Sequence, residues 1–585
     1  MNLKFLDLSY SKNLAETPDL YELPNLERLE LESCENIVDL HASIGQHTKL
    51  RVLNLKDCKK LKNWCLKKLE MPALQEFVLC GCIQIKCLPK FGESMKNLKI
   101  LDAGETNLVK LPESLGLLTS LETLKLRGCK TLVCLPQSIH KLKRLVFIDI
   151  ASCSRFARLP ENLNEMEALE EIDASETDIT EVPSSIGGLN KIKKLSFQEC
   201  KRLTKKSWRS IHPLNHMFWG HSIHKGSALP DSIFNLKSLK ELNLSYCGIN
   251  DGSVPDSFSG LSSLEKLNLS GNLFKKLHAG CLSNLLKLEV LLLNSCSELG
   301  SLPQLGPNLW RVYAGDCGSL EAISDEQLSH LFTSIDQDER LIMGDSLDVA
   351  IPGSEIPSWF KNQQDLFLNH YGEAWMMIDM RACGEEMLGI GLCIVIDDQF
   401  FCTEPNKRPP FGFLNCWFDF AKIPHPPNFK PQSYSRVYGY QEDMKSSHLW
   451  IVFWKQKEEV SRCLQLSEYS HIPLKFSAWP YWQLDSKDWK MDRKDWKIKC
   501  GWRVIRKGDF KNWDHSMSQR LLPAAEQPNG QDVRTPMPIH FESRSISVRP
   551  IPSNLDYSVQ MLQGKDIELE KERIEKESRK ERKKI

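Results

Sequence analysis

Residues 98–189 repeat one sentence four times: LKILDAGETNLVKLPESLGLL from Leu98, LETLKLRGCKTLVCLPQSIHKL from Leu121, LVFIDIASCSRFARLPENLNEM from Leu145 and LEEIDASETDITEVPSSIGGL from Leu169. The period is 23 or 24 residues. Each unit opens with apolar residues in the order LxxLxL, closes near a Leu-Pro or Val-Pro pair, and then adds a short apolar turn. One unit alone has too few apolar side chains to offset the entropy of ordering itself. Stacking resolves this, because each unit then buries its leucines against both neighbours.

This period and order mark a leucine-rich repeat, a unit of one short strand, a turn and a return segment. Working outward, unit starts fall at Leu3, Leu26, Leu50, Leu74, Leu98, Leu121, Leu145, Leu169, Ile192, Leu239, Leu264, Leu288 and Leu309. The gap from Ile192 to Leu239 is two periods and holds a degenerate unit around Leu214, Met217 and Trp219. The expected fold is therefore an α/β horseshoe solenoid of about fourteen repeats over 1–325. Proline at the unit ends fixes φ and stops any helix. Pairs such as Ile139/Leu142 and Ile186/Leu189 predict a helical turn on the outer side. The array begins at Leu3 with no polar cap, and an uncapped solenoid end exposes core and a strand edge. That predicts a piece of a longer protein, or docking to another chain there.

Beyond Ile323 the period vanishes and aromatics rise. Strand-like runs at 375–382, 388–396, 413–423, 448–454, 473–479 and 497–505, separated by Pro and Gly, predict an antiparallel β-sandwich over 326–509. The remainder, 510–585, is polar with scattered Pro and a charge-mixed end, and is expected to be disordered.

Lys+Arg and Asp+Glu both number 76, so charge argues for neither a nucleic acid nor an acidic substrate. No apolar run nears the roughly 20 residues that span a bilayer, and the N-terminus has no signal-peptide core. A cytoplasmic location is expected, with the basic end at Arg579–Lys584 leaving a nuclear one open. Of 20 cysteines, nine fall at one repeat position: Cys34, Cys58, Cys82, Cys129, Cys153, Cys200, Cys247, Cys296 and Cys317. Free thiols stacked on an inner turn fit a reducing compartment.

The units resemble the leucine-rich repeats of plant TIR–NB–LRR disease-resistance receptors. The segment Ile351–Phe360, reading IPGSEIPSWF with Pro352, Gly353, Ser354, Glu355, Ile356, Pro357, Trp359 and Phe360, resembles the opening motif of that family's post-repeat jelly-roll/immunoglobulin-like domain. The SHLWI and CGWRV stretches at Ser447 and Cys500 resemble its later strands. The resemblance covers about Leu3 to Arg506. It implies that a TIR domain cleaves NAD, that a nucleotide-binding (NB-ARC) switch oligomerises, and that repeats and sandwich recognise a pathogen effector or a guarded host protein. The chain has no G-x-x-x-x-G-K-[ST] loop to cradle phosphates, so what remains resembles the sensing half.

On each strand the residue between the second and third apolar positions faces the hollow side. That ladder reads Asp7, Glu30, Asn54, Val78, Asp102, Lys125, Asp149, Asp173, Ser196, Asn243, Asn268, Leu292 and Tyr313. Asp102, Asp149 and Asp173 make an acidic stretch, with Lys193, Lys194 and Lys240 on the next units. Leu292, Trp310 and Tyr313 are apolar or aromatic at expected surface positions, and either anchor a partner or pack beneath the second domain. His212, His216, His221 and His224 fit a decayed repeat better than a zinc site. Cys80, Cys82 and Cys87 look metal-like too, but Cys82 is the repeat cysteine and Cys80 a concave residue, which argues against zinc there. The two KDWK sequences near Trp489 and Trp496 carry aspartates that cancel a nucleic-acid patch. The tryptophans of the second domain are assigned to its core before a sugar platform. No catalytic motif is present. The expectation is a non-catalytic protein-binding module without cofactor or metal; a general adaptor and a carbohydrate-binding β-sandwich are the alternatives.

Overall fold

The computed structural model describes residues 2–62, 67–203, 229–251, 258, 260–277, 281–282, 284–303 and 308–321, and strands with adjoining residues between 346 and 506. Each repeat contributes one three-residue strand to a continuous parallel sheet: β1 (Phe5–Asp7), β2 (Arg28–Glu30), β3 (Val52–Asn54), β5 (Glu76–Val78), β7 (Ile100–Asp102), β8 (Thr123–Lys125) and β9 (Phe147–Asp149). It continues through β10 (Glu171–Asp173), β11 (Lys194–Ser196), β12 (Glu241–Asn243), β13 (Lys266–Asn268), β14 (Val290–Leu292) and β15 (Arg311–Tyr313). Two-residue strands β4 (Lys68–Leu69) and β6 (Lys90–Phe91) pair on the flank. The leucines at the first, fourth and sixth places of each unit form one core, as in Leu121, Leu124 and Leu126, all fully buried.

Two expectations are corrected. The sheet holds thirteen of the fourteen expected units, because Lys194 of β11 pairs directly with Glu241 of β12. The degenerate unit expected around Leu214, Met217 and Trp219 falls in residues 204–228, which lie outside the described part. The outer side, expected to be helical in an α/β horseshoe, carries only 3-10 turns among the described residues, as at Glu113–Leu117, Gln137–Lys141 and Ser184–Gly188. Five residues are too few for an α-helix to repay its nucleation. Proline also opens these turns instead of stopping them. Pro112, Pro136 and Pro183 sit extended just before the first turn residue, and their carbonyls accept from Leu115, Ile139 and Ile186.

The chain leaves each strand through a residue in the left-handed region. Tyr10, Ser33, Asp57, Glu105, Ser152, Glu176, Glu199, Tyr246, Ser295 and Asp316 have φ between 53° and 62°, and Gly81, Gly128 and Gly271 take the same place. The next residue carries the polar group that closes the inner turn. All nine repeat cysteines donate to the carbonyl of the preceding unit's strand, as from Cys58 to Leu31 O (3.2 Å), Cys153 to Leu126 O (3.1 Å) and Cys317 to Leu293 O (3.1 Å). Burial holds the Cys247 and Cys200 thiols above their ordinary value, so both stay protonated donors.

The sheet does not stop at residue 325. β16 (Ser346–Pro352) pairs parallel with β15, Val349 beside Val312, and antiparallel with β22 (His448–Lys455). From there the order runs β22, β19 (Met387–Ile396), β24 (Lys497–Arg506) and β17 (Asn362–Phe367), each pair antiparallel. A second antiparallel sheet has the order β18 (Glu373–Asp379), β23 (His471–Trp479), β20 (Phe413–Phe418), β21 (Ser435–Gly439). The buried Cys500 thiol of β24 lies 3.5 Å from the sulfur of Met376 on β18, so the two sheets meet there. Residues 510–585 lie outside the described part.

Candidate functional site

The hollow-side ladder is in register along the whole array, Asp7 beside Glu30 at one end and Leu292 beside Tyr313 at the other. Its composition has a local cause. The side-chain oxygen of Asp7, Asn54, Asp102, Asp149, Asp173, Asn243 and Asn268 accepts from the backbone amide two residues on, at 2.9–3.1 Å. These are Asx turns that steer the chain into the left-handed residue next door. Asp102, Asp149 and Asp173 thus spend one oxygen on their own loop before any partner arrives.

The second oxygens of two of them are also engaged. Arg127, which sequence reasoning passed over, donates from Nε to Asp149 (2.9 Å) and from Nη2 to Asp173 (2.5 Å). It thereby bridges three consecutive repeats. Asp149 is buried, which pushes its carboxyl above the ordinary range against the opposing pull of the Ala151 amide and Arg127. The lysines expected beyond the acidic stretch are paired across units: Lys193 with Glu170 (2.7 Å), Lys194 with Glu241 (2.8 Å) and Lys240 with Glu265 (2.6 Å). Lys125 is exposed between Asp102 and Asp149. Exposed pairs of this kind contribute little to stability, so they remain available for exchange with a partner's charges.

Leu292, Trp310 and Tyr313 are half-buried. Trp310 lies under the Arg311 guanidinium at 4.1 Å and donates from Nε1 to Glu289 at 3.3 Å. Tyr313 stands beside Ala350 of β16, so its row runs into the C-terminal strands. A second set of hollow-side residues was missed, the first residue of each strand. Ile100 and Phe147 lie there, half-buried, with Val146 next to Phe147 and Glu171 as the register partner of Phe147. The signal existed in the sequence, since Phe147 precedes a core isoleucine by one residue and must face the other way.

The motif at Ile351–Phe360 is a structural joint. Ile356, Trp359 and Phe360 are buried and belong to the same contiguous core as the repeat leucines. Trp359 and Phe360 meet edge to face at 5.0 Å, and the Arg503 guanidinium lies 4.6 Å above the Trp359 ring. Gly353 and Gly501 are required by close approach. A Cβ at Gly353 would sit 2.8 Å from Leu449, and one at Gly501 would sit 2.6 Å from Ile356. Pro352 pairs with His448, Pro357 accepts from the Phe360 amide, and Ser354 and Glu355 are exposed. An open hollow of about 390 Å³ lies between Glu355, Gln363, Asp365 and Lys499.

Cys82 donates into the inner turn, whereas Cys80 is half-buried on the hollow side with its thiol pushed up to about 11 by burial and by Asp102 and Glu105. The two therefore point to different faces. The four histidines near Trp219 and both KDWK sequences lie outside the described residues. Among the described residues, no helix is long and apolar enough to cross a membrane.

Comparison with known proteins agrees with this architecture. Leucine-rich repeat family models match residues 71–198, 238–261 and 254–297. TMV resistance protein N of Nicotiana glutinosa is 35% identical over 341 residues, covering 54% of this chain and 26% of that protein. Disease resistance protein RPP2A of Arabidopsis thaliana is 34% identical over 130 residues, covering 22% and 10%. The chain thus spans about a quarter of the first of these curated relatives and a tenth of the second. Among solved structures, a leucine-rich repeat protein of Leptospira interrogans aligns over 57% of this chain and 94% of its own, with 20% identity and a TM-score of 0.34. Over its repeats, the chain is thus similar to the leucine-rich repeat family and to plant disease-resistance proteins.

Proposed function

We propose that this chain is a recognition module of an intracellular plant immune receptor, acting by binding and not by catalysis. Its hollow repeat face, together with a jelly-roll/immunoglobulin-like sandwich formed by the two C-terminal sheets, takes a pathogen effector or a host protein that such an effector modifies. Division of the chain at about 325 and 509 and a cytoplasmic or nuclear site of action belong to the same proposal. Output requires a TIR and nucleotide-switch half, supplied in the same chain or by another one. The observation carrying this reading is the hollow sheet itself, where rows of half-exposed charged and aromatic side chains stand in register on a scaffold shared with resistance proteins. A rigid array that varies one face while conserving its core chemistry suits selection for new partners.

The test is co-expression in leaf tissue of this chain, a TIR–nucleotide-switch half, and a panel of pathogen proteins, scoring cell death and co-purification. Cell death with at least one pathogen protein, lost when Phe147 and Arg127 are both replaced by Ala, is the expected result. Absence of co-purification and cell death across the panel counts against the reading.

A further inference from the structure

The charge of the hollow face is not uniform. Taking the residues that face the hollow on and beside each strand, β5 to β10 carry seven carboxylates against three cations: Lys99, Lys125 and Arg127. The next three strands, β11 to β13, reverse the balance with four lysines against two glutamates. Within the acidic section Lys99 is committed to Glu122 (3.3 Å) and Arg127 to Asp149 and Asp173. The same section holds the apolar hollow-side residues Val78, Ile100, Val146 and Phe147. An apolar centre inside a rim of one charge sign is the anatomy of a protein-binding hot spot.

One pair concentrates both features. Phe147 and Glu171 are register partners on β9 and β10, so their backbones stand one strand spacing apart, about 4.8 Å, and both side chains leave from the hollow face. Lys194, the neighbouring cation, is drawn to Glu241 on the far side. Burial and the nearby Glu241, Asp173 and Asp149 hold the Glu171 carboxyl above its ordinary value in spite of Lys194. Lys194 is also the register partner of Glu171 on β11, so one cation serves two carboxylates there.

Resting on the protein-recognition reading above, we propose that β5 to β10 form the primary contact and that they take a basic segment of the partner. A Lys or Arg of that segment seats over the Phe147 ring and pairs with Glu171, while an adjacent apolar side chain fills the space beside Ile100 and Val146. A guanidinium satisfies both demands at once, since it stacks on an aromatic face and donates in its plane to a carboxylate. An acidic segment would instead meet the surplus of carboxylates and be repelled.

The experiment selects a displayed library of random peptides on the immobilised full chain, then measures affinities of the enriched peptides for variants. Enrichment of peptides with Arg or Lys beside an apolar residue is expected. Their affinity should fall about tenfold on Glu171→Gln and by a similar factor on Phe147→Ala, weaken with added salt, and stay unchanged on Lys141→Glu, an exposed residue of an outer turn. Glu171→Gln preserves shape, and a matched thermal melt guards against misfolding of Phe147→Ala. Enriched acidic peptides, or binding lost on Lys240→Glu and indifferent to Glu171→Gln, overturn this proposal and leave the recognition reading standing. No enrichment over a heat-denatured chain overturns both.

Discussion

The two sides of the same strands treat polar groups in opposite ways. On the inner turn the Cys, Thr and Asn side chains that close the units from Cys34 onward find partners inside the stack. Cysteine does this with one thiol bond, as from Cys129 to Ala103 O at 3.1 Å. Where Thr replaces it, Thr106 and Thr177 donate to Ala103 and Ala174 and also touch the next thiol at 3.2 Å. Asn272 does most. Its Nδ2 donates to Leu244 O and Leu269 O, and its Oδ1 accepts from the amides of Cys247 and Ile249, all at 2.7–3.2 Å. On the hollow side of β5 to β10, by contrast, carboxylates outnumber cations. The inner ladder serves the fold, and the outer one gives up some stability for a charged surface.

If that contrast holds, the largest loss should follow Asn272→Ala. The change strands two buried amides and the Leu244 carbonyl and leaves Leu269 O with the Cys296 thiol alone, which is expected to cost about 2–4 kcal/mol in chemical denaturation. A loss below that of a single surface ion pair would break the comparison on its inner side.

Arg127→Ala comes next. The buried Asp149 carboxylate would lose its cation, at about 1–3 kcal/mol near neutral pH. Asp149→Asn in the same background should recover most of it, because Asn keeps the Asx turn to Ala151 without the charge. Failure of that rescue would mean Arg127 acts through packing alone.

Cys153→Ala should cost less, about 1 kcal/mol, since one thiol bond is lost and the cavity is small. Cys153→Thr should cost less still, because Thr106 and Thr177 already fill that place in flanking units. Equal losses for Ala and Thr would deny the thiol bond any role.

How much of this was legible in the sequence follows from which force selects each residue. The leucine places were readable because burial tolerates little else there, and the cysteine column stood out for the same reason. The ladder positions were readable from strand alternation, but the meaning of Asp102, Asp149 and Asp173 was not. An aspartate that closes its own turn and one that greets a partner look identical in sequence. The outer turns looked helical because Ile139 and Leu142 are three apart, a spacing that a single 3-10 turn satisfies equally. β17 escaped notice because Asn362–Asp365 is polar and exposed, so no alternation marks it as a strand. Arg127 escaped because its partners lie one and two units away, and only stacking brings them together.

The smallest expected effect has the opposite sign. Glu171 has its folded-state carboxyl raised above the unfolded value, chiefly by burial. A raised carboxyl costs stability once pH exceeds the folded value, and the cost disappears as pH falls through that value toward the unfolded one. Glu171→Gln should therefore raise the melting temperature slightly at pH 7 and change nothing near pH 4. The gain should stay under about 1 kcal/mol, because Glu171 is only half-buried and water screens the repulsion. A stabilised variant that binds worse would locate at one residue the exchange of stability for recognition. Unchanged or lower stability at pH 7 would mean that the hollow face gives up nothing there, and the contrast with the inner ladder would then rest on Asp149 alone.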